Sequence, residues 1–270
     1  MQLLINQILE KVKQNKKYRT ISDEIVLDEI QNYLKKNPNE SVNDLMIKSI
    51  RKNLHRLYSS YSRGKKHKKN KLLEELRKNQ NDLEIIKKIL GTVVSAKERL
   101  YEYEKIYSEI FKITGKPATI LDLGCGLNPI SFPFMNLKKL DYYAYDIDEE
   151  DIQFLNEYFK LMKSKGLNGR AQILNVRDFE KISKLPSSDL IFLLKIIDLI
   201  DINNHKSSEE LIKILIKKTR FIVASFATRT ISGKPMNLPR RRGFEFMLKR
   251  IGLKFETFSI KNEVFYVISK

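Results

Sequence analysis

Asp122, Gly124 and Gly126 stand at alternate positions where an apolar β-type run, Ile120 to Leu123, breaks. Paired glycines at a strand end let the backbone approach a ligand closely, because no Cβ stands in the way. Cys125 lies between them, Asn128 can cap a following helix, and Pro129 suits a first helical turn. Strand, glycine turn and helix start together form the place where α/β sheets hold nucleotides. The pattern is not the dinucleotide G-x-G-x-x-G, since position 129 is proline.

Further polar groups close the next β-type runs. Asp146 ends the run from Asp141, placed to accept hydrogen bonds from ribose hydroxyls. Asp148, Glu149 and Glu150 instead suit a helix start, where acids favour the dipole. Asn175 follows the run Arg170 to Leu174 and can both donate to and accept from an adenine edge. Ile147, Val176 and Leu193 sit beside these groups and are expected in the same pocket wall. Lys195 stands where the apolar run Ser188 to Leu194 reaches the strand edge at which substrates sit; a merely solvated lysine is the alternative. The segment Phe226 to Met236, with Arg229 in it, is too rich in hydrogen-bond donors for an ordinary connector.

The elements that position these residues fall into two textures. From Thr119 onward strands and helices alternate, the signature of an α/β doubly wound sheet. Helices are expected over Glu149 to Lys163, over Ser207 to Lys218, and through Phe244, Met247 and Ile251. A strand Arg220 to Ser225 and a closing hairpin, Leu253 to Ile260 with Val264 to Ser269, bring the strands to seven. Residues Leu3 to Ile113 read instead as successive amphipathic helices. Ser22 starts one of them, a turn spans Asn37 to Ser41, and another helix carries Leu45 to Tyr58. The run Arg63 to Lys71 reads as a basic loop, followed by one helix from Leu72 to Leu90. Ser95 to Glu98 reads as a capping box opening a helix from Lys97 to Ile113, which Gly115 closes. A boundary between a helical unit, 1–112, and a sheet unit, 113–270, is therefore expected.

The formal net charge of +18 favours a polyanionic partner, nucleic acid first. AT-rich coding alone would also enrich lysine, so clustering decides. The basic residues do cluster, in the helical half. Lys16, Lys17, Arg56, Lys65, Lys66, Lys68 and Lys69 are expected to contact phosphates, with Tyr58 and Tyr61 beside the densest run; a solvated face is the alternative. Arg240 and Arg241 are expected to join them. One cysteine and three scattered histidines exclude a disulfide framework and argue against a structural metal. With neither an export signal nor a membrane-length apolar run, a cytoplasmic location is expected.

The Asp122 to Gly126 pattern resembles motif I of class I S-adenosylmethionine-dependent methyltransferases. Asp122 to Pro129, Asp146 to Asp148, Leu193 to Lys195 and the Ser225 to Gly233 stretch occur together in order. In that order they resemble the aminoglycoside-resistance methyltransferases that modify a guanine of 16S rRNA at N7. Lys16 to Arg19, the helix around Leu54 and His55, and Ser95 to Leu100 extend the likeness over most of the chain. The resemblance implies the class I (Rossmann-like) seven-stranded fold, S-adenosyl-L-methionine as cofactor, and a decoding-site guanine in the 30S subunit as target. It implies that Arg99 meets the cofactor's methionine carboxylate and that Lys195 and Arg229 hold a flipped nucleotide or its phosphate. A helical domain docking on 30S rRNA, with a monomer as the acting form, is the matching expectation. Ala227 replaces the family's usual proline, and Arg240 to Arg242 replace a glycine-rich stretch, which leaves the target nucleotide and base atom open.

Overall fold

The computed structural model describes residues 2–38, 40, 42–58, 66–201, 206–229, 234 and 240–270. Seven strands form one sheet in the order β3-β2-β1-β4-β5-β7-β6. They are β1 (Thr119–Leu123), β2 (Leu140–Asp146), β3 (Leu167–Ile173), β4 (Leu190–Leu194), β5 (Phe221–Ala227), β6 (Lys254–Ile260) and β7 (Glu263–Ser269). The first five run parallel, and β7 enters antiparallel between β5 and β6. The expected α/β class and closing hairpin are both present.

Alternation along the strands divides the sheet's apolar residues between two cores. Ile120 and Phe192 join one face, whereas Leu121, Leu123, Ile191 and Leu193 join the other. The first face is covered by α4 (Lys66–Lys78), α5 (Leu83–Leu90), α7 (Tyr103–Thr114) and α8 (Glu149–Met162). The second lies under α9 (Phe179–Ser183), α10 (Ile197–Ile200), α11 (Lys206–Leu215) and α12 (Arg242–Arg250). Burying each large aliphatic side chain in these layers contributes roughly 1.5–3 kcal/mol.

A third, smaller core joins α1 (Gln2–Lys13), α2 (Asp23–Lys36) and α3 (Asp44–Tyr58) through Ile8, Val12, Ile25, Ile30, Ile50 and Leu54. The expected boundary at 112/113 thus falls inside the first sheet core, because α4 to α7 pack on the sheet rather than on α1 to α3. The turn before α2 fastens the two parts. Ser22 N donates to Ile147 O at 3.0 Å, Glu149 N to Thr20 O at 2.9 Å, and Thr20 Oγ1 to Asp148 Oδ2 at 2.6 Å.

Several helical expectations need correction. The helix expected over Leu72 to Leu90 is two helices, since Asp82 accepts from Glu84 N and Ile85 N and so starts α5 afresh. The segment read as a loop up to Lys71 is helical from Lys66. Ser95 does not cap a long helix. It lies within the short α6 (Val94–Glu98), and the chain turns at Arg99 to Glu102 before α7. Asn128 caps nothing either: it begins a 3-10 turn, Asn128–Met135, and its side chain points back to Asp122. Among the described residues, no helix is long and apolar enough to cross a membrane.

Candidate functional site

The strand order reverses between β1 and β4, and the C-terminal ends of β1 to β4 open on a crevice there. The glycine turn forms its floor. Gly124 N and Cys125 N donate to Tyr145 O at 2.8 and 2.9 Å, tying the turn to β2. Gly124 (φ 68°) and Gly126 (φ 48°) take the left-handed backbone that glycine tolerates. A Cβ on Gly124 would lie 2.1 Å from Ile196 Cδ1, whereas one on Gly126 would meet no protein atom within 4 Å. The turn is therefore packed behind Gly124 and open in front of Gly126.

Asp146 closes the wall. Its Oδ2 accepts from Gly126 N at 2.8 Å, and its Oδ1 accepts from Ile147 N at 2.7 Å and Asp148 N at 3.2 Å. Burial, with the nearby Asp151 and Asp148 charges, pushes its carboxyl up to about 6 against the pull of those amides. Asp148 belongs to the helix: its Oδ1 accepts from Asp151 N at 3.0 Å and caps α8. Asp122 lies beneath the wall, 1% exposed, with Oδ2 accepting from Tyr142 Oη at 2.6 Å and Asn128 Nδ2 at 2.9 Å. Burial raises this carboxyl also to about 6.

Opposite the glycines, Arg99 leaves the end of α6 and enters the protein, 4% exposed. Its Nε and Nη2 donate to Glu263 Oε2 and Oε1 at 2.9 and 2.6 Å. Burial alone would raise the Glu263 carboxyl, but the Arg99 and Lys195 charges hold it below its ordinary value. Lys195 contradicts the picture of a lysine emerging at a strand end. It is 2% exposed, has φ 61°, and its ammonium pairs with Glu98 and lies 3.5 Å from Glu263. Its backbone N donates to Ser225 O and Oγ at 3.1 and 3.0 Å, which fixes this strained turn between β4 and β5.

The crevice so built is a cavity of about 90 Å³ that opens to solvent at its mouth. Arg99, Gly124, Cys125, Gly126, Asn128, Asp146, Ile147, Asn175 and Val176 line it. Asp122, Pro129 and Leu193 do not. Leu193 faces the second core, and its neighbour Leu194 lines the crevice instead, because one step along a strand changes face. Asp151, Tyr103, Leu174, Ile196 and Leu199 are lining residues that sequence reading missed. Glu98 was adjacent to a chosen residue, whereas nothing local singled out Glu263.

The basic residues are dispersed. Lys16 and Lys68 are exposed, while Lys17 is half-buried with Nζ 3.4 Å from His55 Nε2. Lys69 is a correction: it is 3% exposed and paired with Asp151, because helix α4 turns it inward onto α8. Arg240 pairs with Glu245 at 2.7 Å, and Arg241 with Asp198 at 3.0 Å while stacking over Phe226. Arg229 is exposed just past β5. Lys65, Tyr61 and most of the 230–239 stretch lie outside the described residues, as do the side chains of Arg56, Tyr58 and Lys66.

Residues 14–267 match the family model described as Ribosomal RNA methyltransferase (FmrO). The chain belongs to this rRNA methyltransferase family. A 16S rRNA (guanine(1405)-N(7))-methyltransferase of Proteus mirabilis is 28% identical, over 98% of this chain and 97% of that relative. One from Micromonospora echinospora is 28% identical, over 68% of this chain and 66% of its own. The crystal structure of 16S rRNA methyltransferase RmtF in complex with S-adenosyl-L-homocysteine shares the fold with a TM-score of 0.77. It is 20% identical, with coverage of 99% and 98% of the two chains.

The cofactor of this methyltransferase is S-adenosylmethionine, and the crevice offers groups that suit it. The open space before Gly126 admits close approach of a ligand. Tyr103 also lines the crevice, with its hydroxyl buried close to Arg99. Arg99 supplies a cation for a carboxylate and Asp146 an acceptor for hydroxyls.

Proposed function

We propose that this methyltransferase modifies N7 of a guanine of 16S rRNA at the decoding site, within the 30S subunit. The observation that carries the reading is the end-to-end match to the Proteus mirabilis relative, which spans the basic helical part as well as the sheet. S-adenosylmethionine, when bound, supplies an electrophilic methyl group on a sulfonium. Guanine N7 carries a free lone pair, so the protein has no proton to remove and acts by positioning and desolvation.

In this reading Arg99 and Tyr103 hold the methionine end, Asp146 the ribose, and Asn175 with Ile147 and Val176 the adenine. Arg229, exposed at the same edge of the sheet, holds the extruded nucleotide or its phosphate. Lys195 reaches that nucleotide only by exchanging Glu98 for it. Residues 1–112, with exposed Lys16 and Lys68, dock on folded rRNA, and a monomer suffices for the reaction.

Primer extension and mass mapping of rRNA, after incubating 30S subunits with enzyme and S-adenosylmethionine, test the proposal. A single m7G in the decoding region is the expected result, together with aminoglycoside resistance in a sensitive strain that expresses the enzyme. Methylation of naked tRNA in preference to 30S subunits, or of an exocyclic atom, would overturn it.

A further inference from the structure

Three carboxylates crowd the turn between β2 and α8: Asp146, Asp148 and Asp151. Each has a different partner. Asp146 takes the amides of Gly126 and Ile147, and Asp148 takes Thr20 Oγ1 and the amide of Asp151. Asp151, which also lines the crevice, takes the ammonium of Lys69. That lysine comes from the most basic stretch of the chain, yet its side chain is 3% exposed and Asp151's is 11% exposed. Its Nζ also sits 5.2 Å from the centroid of Phe154, one turn along α8.

We propose that Lys69 is a positioning residue of the methyl-donor pocket, holding Asp151 and the acidic β2–α8 turn in the form that receives the donor's ribose. Its place in the basic run is incidental to this role, and it makes no RNA contact. The physical reason is charge balance in a buried place. A carboxylate with little water around it needs a counter-ion, and removing one member of such a pair is far costlier than removing both. Without Lys69, the Asp151 charge would be left beside Asp146, the two carboxylates would repel, and the turn that aims Asp146 would open. The Asp151 charge already acts on Asp146, where it opposes ionisation. Lys68, the preceding residue on the same helix, points outward. One turn of α4 thus faces solvent with one lysine and, with the next, pairs with Asp151, which lines the crevice.

The inference rests on reading the crevice as the S-adenosylmethionine site, so its test carries a control for that reading. Binding of S-adenosylmethionine to the full-length protein is measured by calorimetry, and binding of 30S subunits by filter retention. Lys69→Met should raise the S-adenosylmethionine Kd roughly tenfold and leave the 30S Kd within about twofold. Adding Asp151→Asn to Lys69→Met should bring the donor Kd back to within about threefold of the native value, since neither charge then lacks its partner. Lys69→Arg, which keeps the charge, should bind the donor nearly as the native protein does; with the double variant it keeps the test available should Lys69→Met fail to fold. A Lys69→Met protein with native donor affinity and weakened 30S binding would make Lys69 an RNA contact and overturn the inference. Donor binding that Asp151→Asn fails to restore would overturn it too, leaving only a packing role. Asp146→Ala is the control: if it binds the donor normally, the crevice reading itself fails, and if it alone loses binding, only the role of Lys69 does.

Discussion

Arg99 and Glu263 are 164 residues apart in sequence and form a doubly hydrogen-bonded, buried ion pair at the wall of the crevice. Glu263 is the first residue of β7, and its carboxylate also faces Lys195, so one carboxylate is shared by two buried cations. Glu263→Gln removes the charge and keeps the shape. Thermal and denaturant unfolding should show a loss of about 3 kcal/mol, the usual cost of leaving a buried charge without its partner. Calorimetry should show weaker S-adenosylmethionine binding, because Arg99 is no longer aimed.

Gly126→Ala separates fold from ligand. The added methyl meets no protein atom within 4 Å, so the fold should lose only the left-handed backbone penalty, about 1–2 kcal/mol. In the proposed reading the space it fills is the donor's. Differential scanning fluorimetry should show a modest fall in Tm and a near-complete loss of the stabilisation that S-adenosylmethionine gives the native protein.

Donor binding should weaken as pH falls. Asp146 must be ionised to accept from ribose hydroxyls, and its carboxyl is pushed up to about 6. Calorimetric titrations should therefore show Kd rising as pH drops below about 6 and flat above about 7. Stability of the ligand-free protein should run the other way. Asp146 and Asp122, both raised from 3.8 to about 6, bind more protons folded than unfolded between those values. Their contribution to stability therefore decreases as pH rises through that window. Glu263, held below 4.5, contributes stability that is lost as pH falls below 4.5, so the two effects overlap only between 3.8 and 4.5.

Arg229→Ala should leave S-adenosylmethionine affinity within about twofold, yet slow methylation of 30S subunits about 100-fold, since misplacing a reactant is costly even when binding survives. Single-turnover methylation with tritiated donor reads this directly. Unchanged methylation would remove Arg229 from the site.

Lys16→Ala and Lys68→Ala should each flatten the plot of log K for 30S binding against log salt by about 0.7–0.9. Both side chains are exposed. Lys69→Ala should leave this slope unchanged, which separates neighbours that composition alone treats alike.

The sequence by itself determined the sheet and most of the crevice wall. Apolar strands followed by Gly124, Asp146 and Asn175 are local signals, since close backbone approach and strand-end polar groups are set within a few residues. The helix break at Asn79 to Asp82 carries a local signal, a polar run ending in an Asp that starts α5, whereas packing on the sheet selects the turn at Arg99 to Glu102. Leu193 and Leu194 show the limit of strand reading: one residue of register decides which face a side chain joins.

The charges were decided only by the tertiary structure. Lys69, Lys195, Arg240 and Arg241 read as cations available to RNA, and each proved to have a carboxylate partner: Asp151, Glu98, Glu245 and Asp198. Three of these partners lie 43 to 97 residues away, and Arg240 alone finds its own within five. A buried charge is fixed by what the fold brings to it, and sequence distance carries no record of that. The glycine turn says that a donor can approach. Which cations hold the site and which face the RNA is settled by packing.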